Sequence, residues 1–238
     1  MSKMLPLLGA SADTFTPSSI ANLQLWLKAD SLSLNDGDAV TTWTDSSSAG
    51  NNVTQSTAAA KPTFKTSILN GRPVVRFDGG DDLRTASSPT ISSQAEFTVF
   101  AVASAGASGA TRRICGWTTG GWGLGQTGGI QMSLTTFGVK DYSTGTNDFG
   151  SQGTWKIGTW QFNSAYSVLF WMNGTSKGTV TGTNNAVAST ATFSVGSRGS
   201  EYWTSDIAEL LVYGSLLSAA DRKLVEGYLA GKYAIGVV

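Results

Sequence analysis

The 238-residue chain contains no histidine, and that absence removes whole classes of chemistry. Without an imidazole there is no Ser-His-Asp or Cys-His machinery and no zinc site built on histidine ligands. The single cysteine, Cys115, excludes an internal disulfide and a multi-cysteine metal cluster. Charge is scarce too: 13% of residues are charged against a usual ~25%, and 16 basic residues balance 16 acidic ones. A neutral chain of this kind is not expected to take nucleic acid or an anionic membrane as its partner. No apolar stretch approaches the ~20 residues needed to span a bilayer. The apolar run Met4–Leu8 is interrupted by Pro6 and is shorter than the ~7–15 residues of a secretory core, so the first residues are expected to be an arm, not a signal peptide.

What the sequence does hold is glycine (29 residues), tryptophan (8) and a wealth of serine and threonine. The length suits one core of two packed layers. From Ile20 the text alternates with period two. In Leu23–Leu27 the leucines share one face and Trp26 the other, so both faces are expected to be covered. Asn35–Asp38 is a turn signature before a strand over Ala39–Trp43, and Asp45–Thr57 reads as a long polar loop. Further strands are expected at 73–77, 97–103, 112–117, 130–134, 154–162, 167–171, 192–195 and 207–213. Short strands separated by Gly, Asn and Ser turns make an all-β sandwich. One helix is signalled over 218–232, with Ser218 as its cap, Asp221 three residues on, an apolar stripe at Leu224, Val225, Tyr228 and Leu229, and Gly231 as its stop. It should cover an edge or end of the sandwich.

The segments Leu23–Asp30, Asp38–Asp45, Lys61–Phe64, Asn70–Gly79, Phe97–Val102, Ser194–Gly196, Asp206–Tyr213 and Gly227–Tyr233 resemble the concanavalin A-like, laminin-G-like jelly rolls of bacteriophage structural proteins and bacterial surface proteins. The resemblance implies a two-sheet antiparallel jelly-roll sandwich over 20–238 with one C-terminal helix, preceded by an N-terminal anchoring arm, 1–19. By analogy it implies a non-enzymatic virion structural protein, a capsid decoration or tail-associated component, whose partners are copies of itself and other virion proteins at the virion surface. The alternative is a carbohydrate-binding adhesin module, extracellular or on a cell surface, and third comes an endoglycanase. Such sandwiches host all three, so the fold alone does not choose. The arm's apolar side chains, Met4, Leu5, Leu7, Leu8 and Phe15, are the candidate assembly anchor.

Three sets of residues are candidate sites. Related glucanases carry Glu-x-Asp-x-x-Glu on one strand; here Glu201, Asp206 and Glu209 have the wrong spacing, because an odd separation puts Asp206 and Glu209 on opposite faces. No catalytic residue is therefore expected, and Glu209 is expected to bond loops or an arginine. Laminin-G-like domains often hold calcium with loop carboxylates, which makes Asp36, Asp38 and Asp45 candidate ligands and Asp78, Asp81 and Asp82 a second cluster; turn geometry explains both equally well. No other cofactor is expected. Sugar binding needs exposed aromatic faces framed by amides and hydroxyls. Trp117 and Trp122, in what reads as a glycine-rich loop over 116–125, and Tyr202 and Trp203, in another Gly/Ser-rich connection, are the candidates for a surface-glycan platform, set against packing at a sandwich end or a subunit contact. Trp26, Trp43, Trp160 and Trp171 sit in strand patterns and are expected in the core.

Overall fold

The computed structural model describes residues 15–86, 89–91, 96–128, 130–136, 140–182 and 189–237. In chain order the strands are β1 (Leu23–Lys28), β2 (Thr42–Trp43), β3 (Val53–Thr54), β4 (Thr63–Leu69), β5 (Arg72–Arg76) and β6 (Leu83–Arg84). Then come β7 (Phe97–Ser104), β8 (Arg112–Trp117), β9 (Trp122–Thr127), β10 (Gln131–Thr136), β11 (Lys140–Ser143) and β12 (Trp155–Phe162). The series ends with β13 (Ser167–Met172), β14 (Thr175–Thr181), β15 (Phe193–Val195), β16 (Ser197–Arg198), β17 (Glu201–Tyr202), β18 (Asp206–Tyr213) and the helix α1 (Ala219–Tyr233). They build two large antiparallel sheets, the expected jelly-roll sandwich. The first runs β14-β13-β12-β7-β18-β5-β4, with β1 also paired to β18; the second runs β11-β10-β9-β8-β15-β6-β3-β2.

The middle of the first sheet, β7 and β18, is buried on both faces. Phe97, Val99 and Ala101 of β7 face the second sheet across a core that includes Trp43, Trp122, Leu124 and Trp160. Phe100 and Val102, one residue out of phase, join Trp26, Leu211 and Tyr213 in a second cluster closed by Val225, Leu229 and Tyr233 of α1. That is why β7 carries the continuous apolar run Val99–Ala103 and not an alternation. The helix thus covers the outer face of the first sheet, not an edge or an end. Ser218 caps it as expected, accepting from the Asp221 N–H (3.1 Å). Gly231 does not stop it: burial of Tyr233 carries the helix one turn-fraction further, and Ala234 ends it in the left-handed region at φ 51.

Phe15 packs edge-on against Tyr228 of α1, with ring centroids 6.5 Å apart, and the buried Tyr213 hydroxyl donates to the Pro17 carbonyl (2.9 Å). Residues 15–19 therefore lie on the sandwich itself. Met4, Leu5, Leu7 and Leu8 lie outside the described residues. Among the described residues no helix is long and apolar enough to cross a membrane.

Candidate functional site

The stretch 116–125 is not a loop. It is the β8–β9 hairpin, turned through Gly120 (φ 65) and Gly121 (φ 57). Trp117 and Trp122 occupy inward positions, where Trp122 stacks on Phe97 (4.5 Å between centroids) and both meet Phe193 edge-on. Trp203 packs beside Phe149. All three tryptophans are at most 1% exposed, so none can offer a face to a sugar, and that part of the expected platform is corrected. Trp26, Trp43 and Trp160 are core, as expected; Trp171 is half-buried beneath the Arg222 guanidinium, 4.4 Å from its ring.

The calcium candidates are corrected as well, because protein donors occupy their carboxylates. Asp36 accepts from Lys65 Nζ (2.5 Å) and the Thr66 N–H (2.9 Å), which hold its carboxyl below the usual range. Asp38 caps the Asn35 N–H (2.7 Å). Asp45 is buried and takes the N–H groups of Trp26, Ser47 and Asn51 at 2.8–2.9 Å. Among the described residues no three acidic, histidine or cysteine side chains are grouped to hold a metal. The carboxylates of the glucanase comparison also part company: Glu201 pairs with Arg113 (2.7 Å), Asp206 takes two bonds from Arg76 (2.7 and 2.9 Å), and Glu209 lies under α1, bonded to Lys232 and not to an arginine.

What the glycines of β8–β9 do is make room. Gly116 and Gly123 are cross-strand partners; a Cβ on Gly123 would run into the Arg198 side chain, and one on Gly116 would run into the backbone of Gly123 and Trp122 and crowd Arg198. The small hairpin β16–β17 therefore lies on the outer face of the second sheet, with Arg198 across the two glycines. On one side of this hairpin opens a cleft of about 640 Å³. Its floor is the cross-strand row Thr42, Thr54 and Arg84 on β2, β3 and β6; its walls are Gln55–Thr57, Gly80, Asp82 and, from the hairpin, Tyr202. Tyr202 is the one sequence-stated sugar candidate that lines it.

Asp82 organises this cleft. It is 2% exposed and accepts from Gln55 Nε2 (2.7 Å), Arg84 Nε (2.7 Å) and Ser197 Oγ (3.0 Å), so one buried carboxylate locks β3, β6 and the hairpin together. Arg84 commits only its Nε to this pair, and its side chain is half exposed on the cleft floor. The result is a fixed, open, hydroxyl- and amide-lined trough with one aromatic side chain. Sequence reasoning did not find Gln55, Asp82 or Arg84 as a set. They come from separate segments, and the only local signal was an acid and an arginine two apart on one face of a strand end.

Behind the cleft wall, burial pushes the Asp81 carboxyl up to about 6, helped by the carboxylates of Asp78 and Asp82 and opposed by the Asp78 N–H it accepts at 3.0 Å. A carboxyl raised above its unfolded value holds its proton better in the folded state, so stability present at pH 4 is lost as pH rises to about 6. Asp81→Asn keeps an acceptor for the Asp78 N–H and is expected to flatten that slope, gaining about 1–3 kcal/mol at pH 7. Urea unfolding across pH 4–7 checks this; equal slopes in parent and variant would refute it.

No family model and no curated protein matches the sequence. Solved structures do match its fold. The binding domain of Paraclostridial Mosquitocidal Protein 1 superposes with a TM-score of 0.64 at 13% identity, over 90% of this chain and 53% of that one. Domain 4 of AbnA, a GH43 extracellular arabinanase from Geobacillus stearothermophilus solved with arabinotriose, gives 0.57 at 15%, over 85% of this chain and 98% of that one. The botulinum neurotoxin serotype D ligand binding domain, solved with N-acetylneuraminic acid, gives 0.57 at 14%, over 87% and 51%. The chain spans about half the length of the two toxin chains. At these identities the likeness establishes the β-sandwich and nothing finer.

Proposed function

We propose that this protein is a carbohydrate-binding module and that its binding site is the cleft on the outer face of the second sheet. The observation that carries the reading is the cleft's make-up: threonine hydroxyls, a glutamine amide and a half-exposed arginine set around Tyr202 in a trough of about 640 Å³, within the ~300–1,000 Å³ of ligand sites. The buried Asp82 fixes those groups before any ligand arrives, which lowers the ordering cost of binding. Sandwich neighbours solved with arabinotriose and N-acetylneuraminic acid support it. Virion display, the leading expectation from the sequence, gains nothing from neighbours that are toxin and glycanase binding domains, so the module takes precedence. In this reading the protein binds without hydrolysing, since Glu201, Asp206 and Glu209 share no cleft.

A glycan array tests this, followed by titration of the best binder with Tyr202→Ala and Arg84→Ala. Each variant is expected to bind about tenfold or more weakly, about 1.4 kcal/mol, with no sugar released from any bound polymer; Tyr202→Ala keeps the unfolding midpoint, whereas Arg84→Ala lowers it because the buried Asp82 loses its cation. An array without a single binder would overturn the proposal, and so would variants that bind as tightly as the parent.

A further inference from the structure

We infer that the ligand is an uncharged linear oligosaccharide that runs along β3 and β6 across two adjoining clefts; this rests on the carbohydrate-binding reading. The second cleft, about 460 Å³, is lined among the described residues by Gly50–Asn52, Thr54, Thr85, Ala86 and the segment 89–90. Thr54 lines both clefts, and it is the cross-strand partner of Arg84. Because β3 and β6 are antiparallel, Gln55 and Ser56 sit beside Asp82 on one side of this Thr54–Arg84 row, and Asn52 sits toward Ala86 on the other. The two clefts are therefore one groove with Thr54 as its saddle, aligned with the strands. Each part alone has the volume of a complete small-molecule site. A ligand that uses both must be a chain with repeating polar groups.

The groove also states the charge of that chain. Asp82 and Arg84 are the only charged side chains lining it among the described residues, and they neutralise one another at 2.7 Å. The remaining polar groups are hydroxyls and amides. In the second cleft Asn52 spends its Oδ1 on the Asp45 N–H (2.8 Å), while its Nδ2 has no partner among the described residues and is a donor available to a ring or hydroxyl oxygen. A uronate or sialate would meet no unbalanced cation here, and Asp78 and Asp81 lie close behind Gly80 in the wall.

Calorimetric titration of the intact protein with a disaccharide, a trisaccharide and a hexasaccharide of whichever neutral backbone the array selects tests the inference. Matched uronate oligomers and the variant Ala86→Trp, which plugs the second cleft from an exposed position, complete the design. The hexasaccharide is expected to bind at least about tenfold tighter than the disaccharide, and Ala86→Trp to erase that gain with the unfolding midpoint unchanged. Equal affinity at all lengths, or a length gain that survives Ala86→Trp, would overturn the two-cleft groove and leave the module reading standing. Tighter binding of the uronate oligomers would overturn the neutral class alone. Failure to bind any glycan would remove the module reading and this inference with it.

Discussion

Glu209→Ala is expected to destabilise the domain by about 3–5 kcal/mol, the cost of breaking a buried ion pair from one side. Glu209 is 0% exposed, at the irregularity where β18 slips register against β7. Its Oε1 accepts from Trp26 Nε1 (2.6 Å), and its Oε2 accepts from Tyr233 OH (2.8 Å) and Lys232 Nζ (2.7 Å). One carboxylate thus joins β1, β18 and α1. Burial, and next the Glu209 charge, push the Tyr233 phenol far above its usual range, so it remains a donor at every accessible pH. Removing the carboxylate leaves the Trp26 indole N–H without its acceptor, leaves the Tyr233 phenol only the Ala208 carbonyl at 3.3 Å, and leaves Lys232 with Asp30 alone, at 3.0 Å. Glu209→Gln, which keeps one acceptor, should fall between parent and alanine. Glu209→Leu with Lys232→Met should recover part of the loss, because neither member of the pair is then buried alone. Urea denaturation reads all three; a loss below about 1 kcal/mol for Glu209→Ala would contradict the account. Glycan affinity should not change, since Glu209 sits under α1 and the groove lies on the opposite sheet.

This separation between what holds the fold and what forms the groove tracks what the sequence made legible. Long strands with clear patterns, β1, β7, β8, β12, β13 and β18, and the capped helix were readable because period and burial agreed. β9 was misread through its glycines. Trp122, Leu124 and Gln126 are buried inward positions, and Gly123 and Gly125 between them keep the outer face flat, so the period-two signal was present but carried by the absence of side chains. β14 was missed for the opposite reason: as an edge strand with exposed residues it has no apolar alternation to show. The groove was the least legible part. β2, β3 and β6 are two residues each, too short for any periodicity, and Gln55, Asp82, Arg84 and Tyr202 meet only because the sheet brings distant segments together. Tryptophan in a glycine-rich stretch drew attention toward Trp117 and Trp122, yet large aromatic area favours the core wherever neighbouring glycines let the backbone close over it.

Gly196→Ala is expected to lose about 2–5 kcal/mol of stability and, unlike Glu209→Ala, to weaken glycan binding as well. Gly196 joins β15 to β16, where the chain leaves the second sheet and folds onto its outer face. It adopts φ +88, a left-handed conformation that costs an L-residue about 1–2 kcal/mol. A Cβ there would also collide with the buried ring of Phe77, and overpacking of this kind adds about 1–3 kcal/mol. Its backbone is fully engaged: the N–H donates to the Ile114 carbonyl and the carbonyl accepts from the Trp203 N–H, both at 2.7 Å. Relief can come only by moving the hairpin, and the hairpin carries Ser197, which holds Asp82 at 3.0 Å, and Tyr202, which walls the cleft. Gly199→Ala is the control, because Gly199 has positive φ (+60) but open space around its Cβ site. It should lose only the conformational part and leave binding intact. If the two alanine variants unfold at the same urea concentration, the collision with Phe77 is not what fixes the hairpin, and the pre-set geometry of the groove would need another cause.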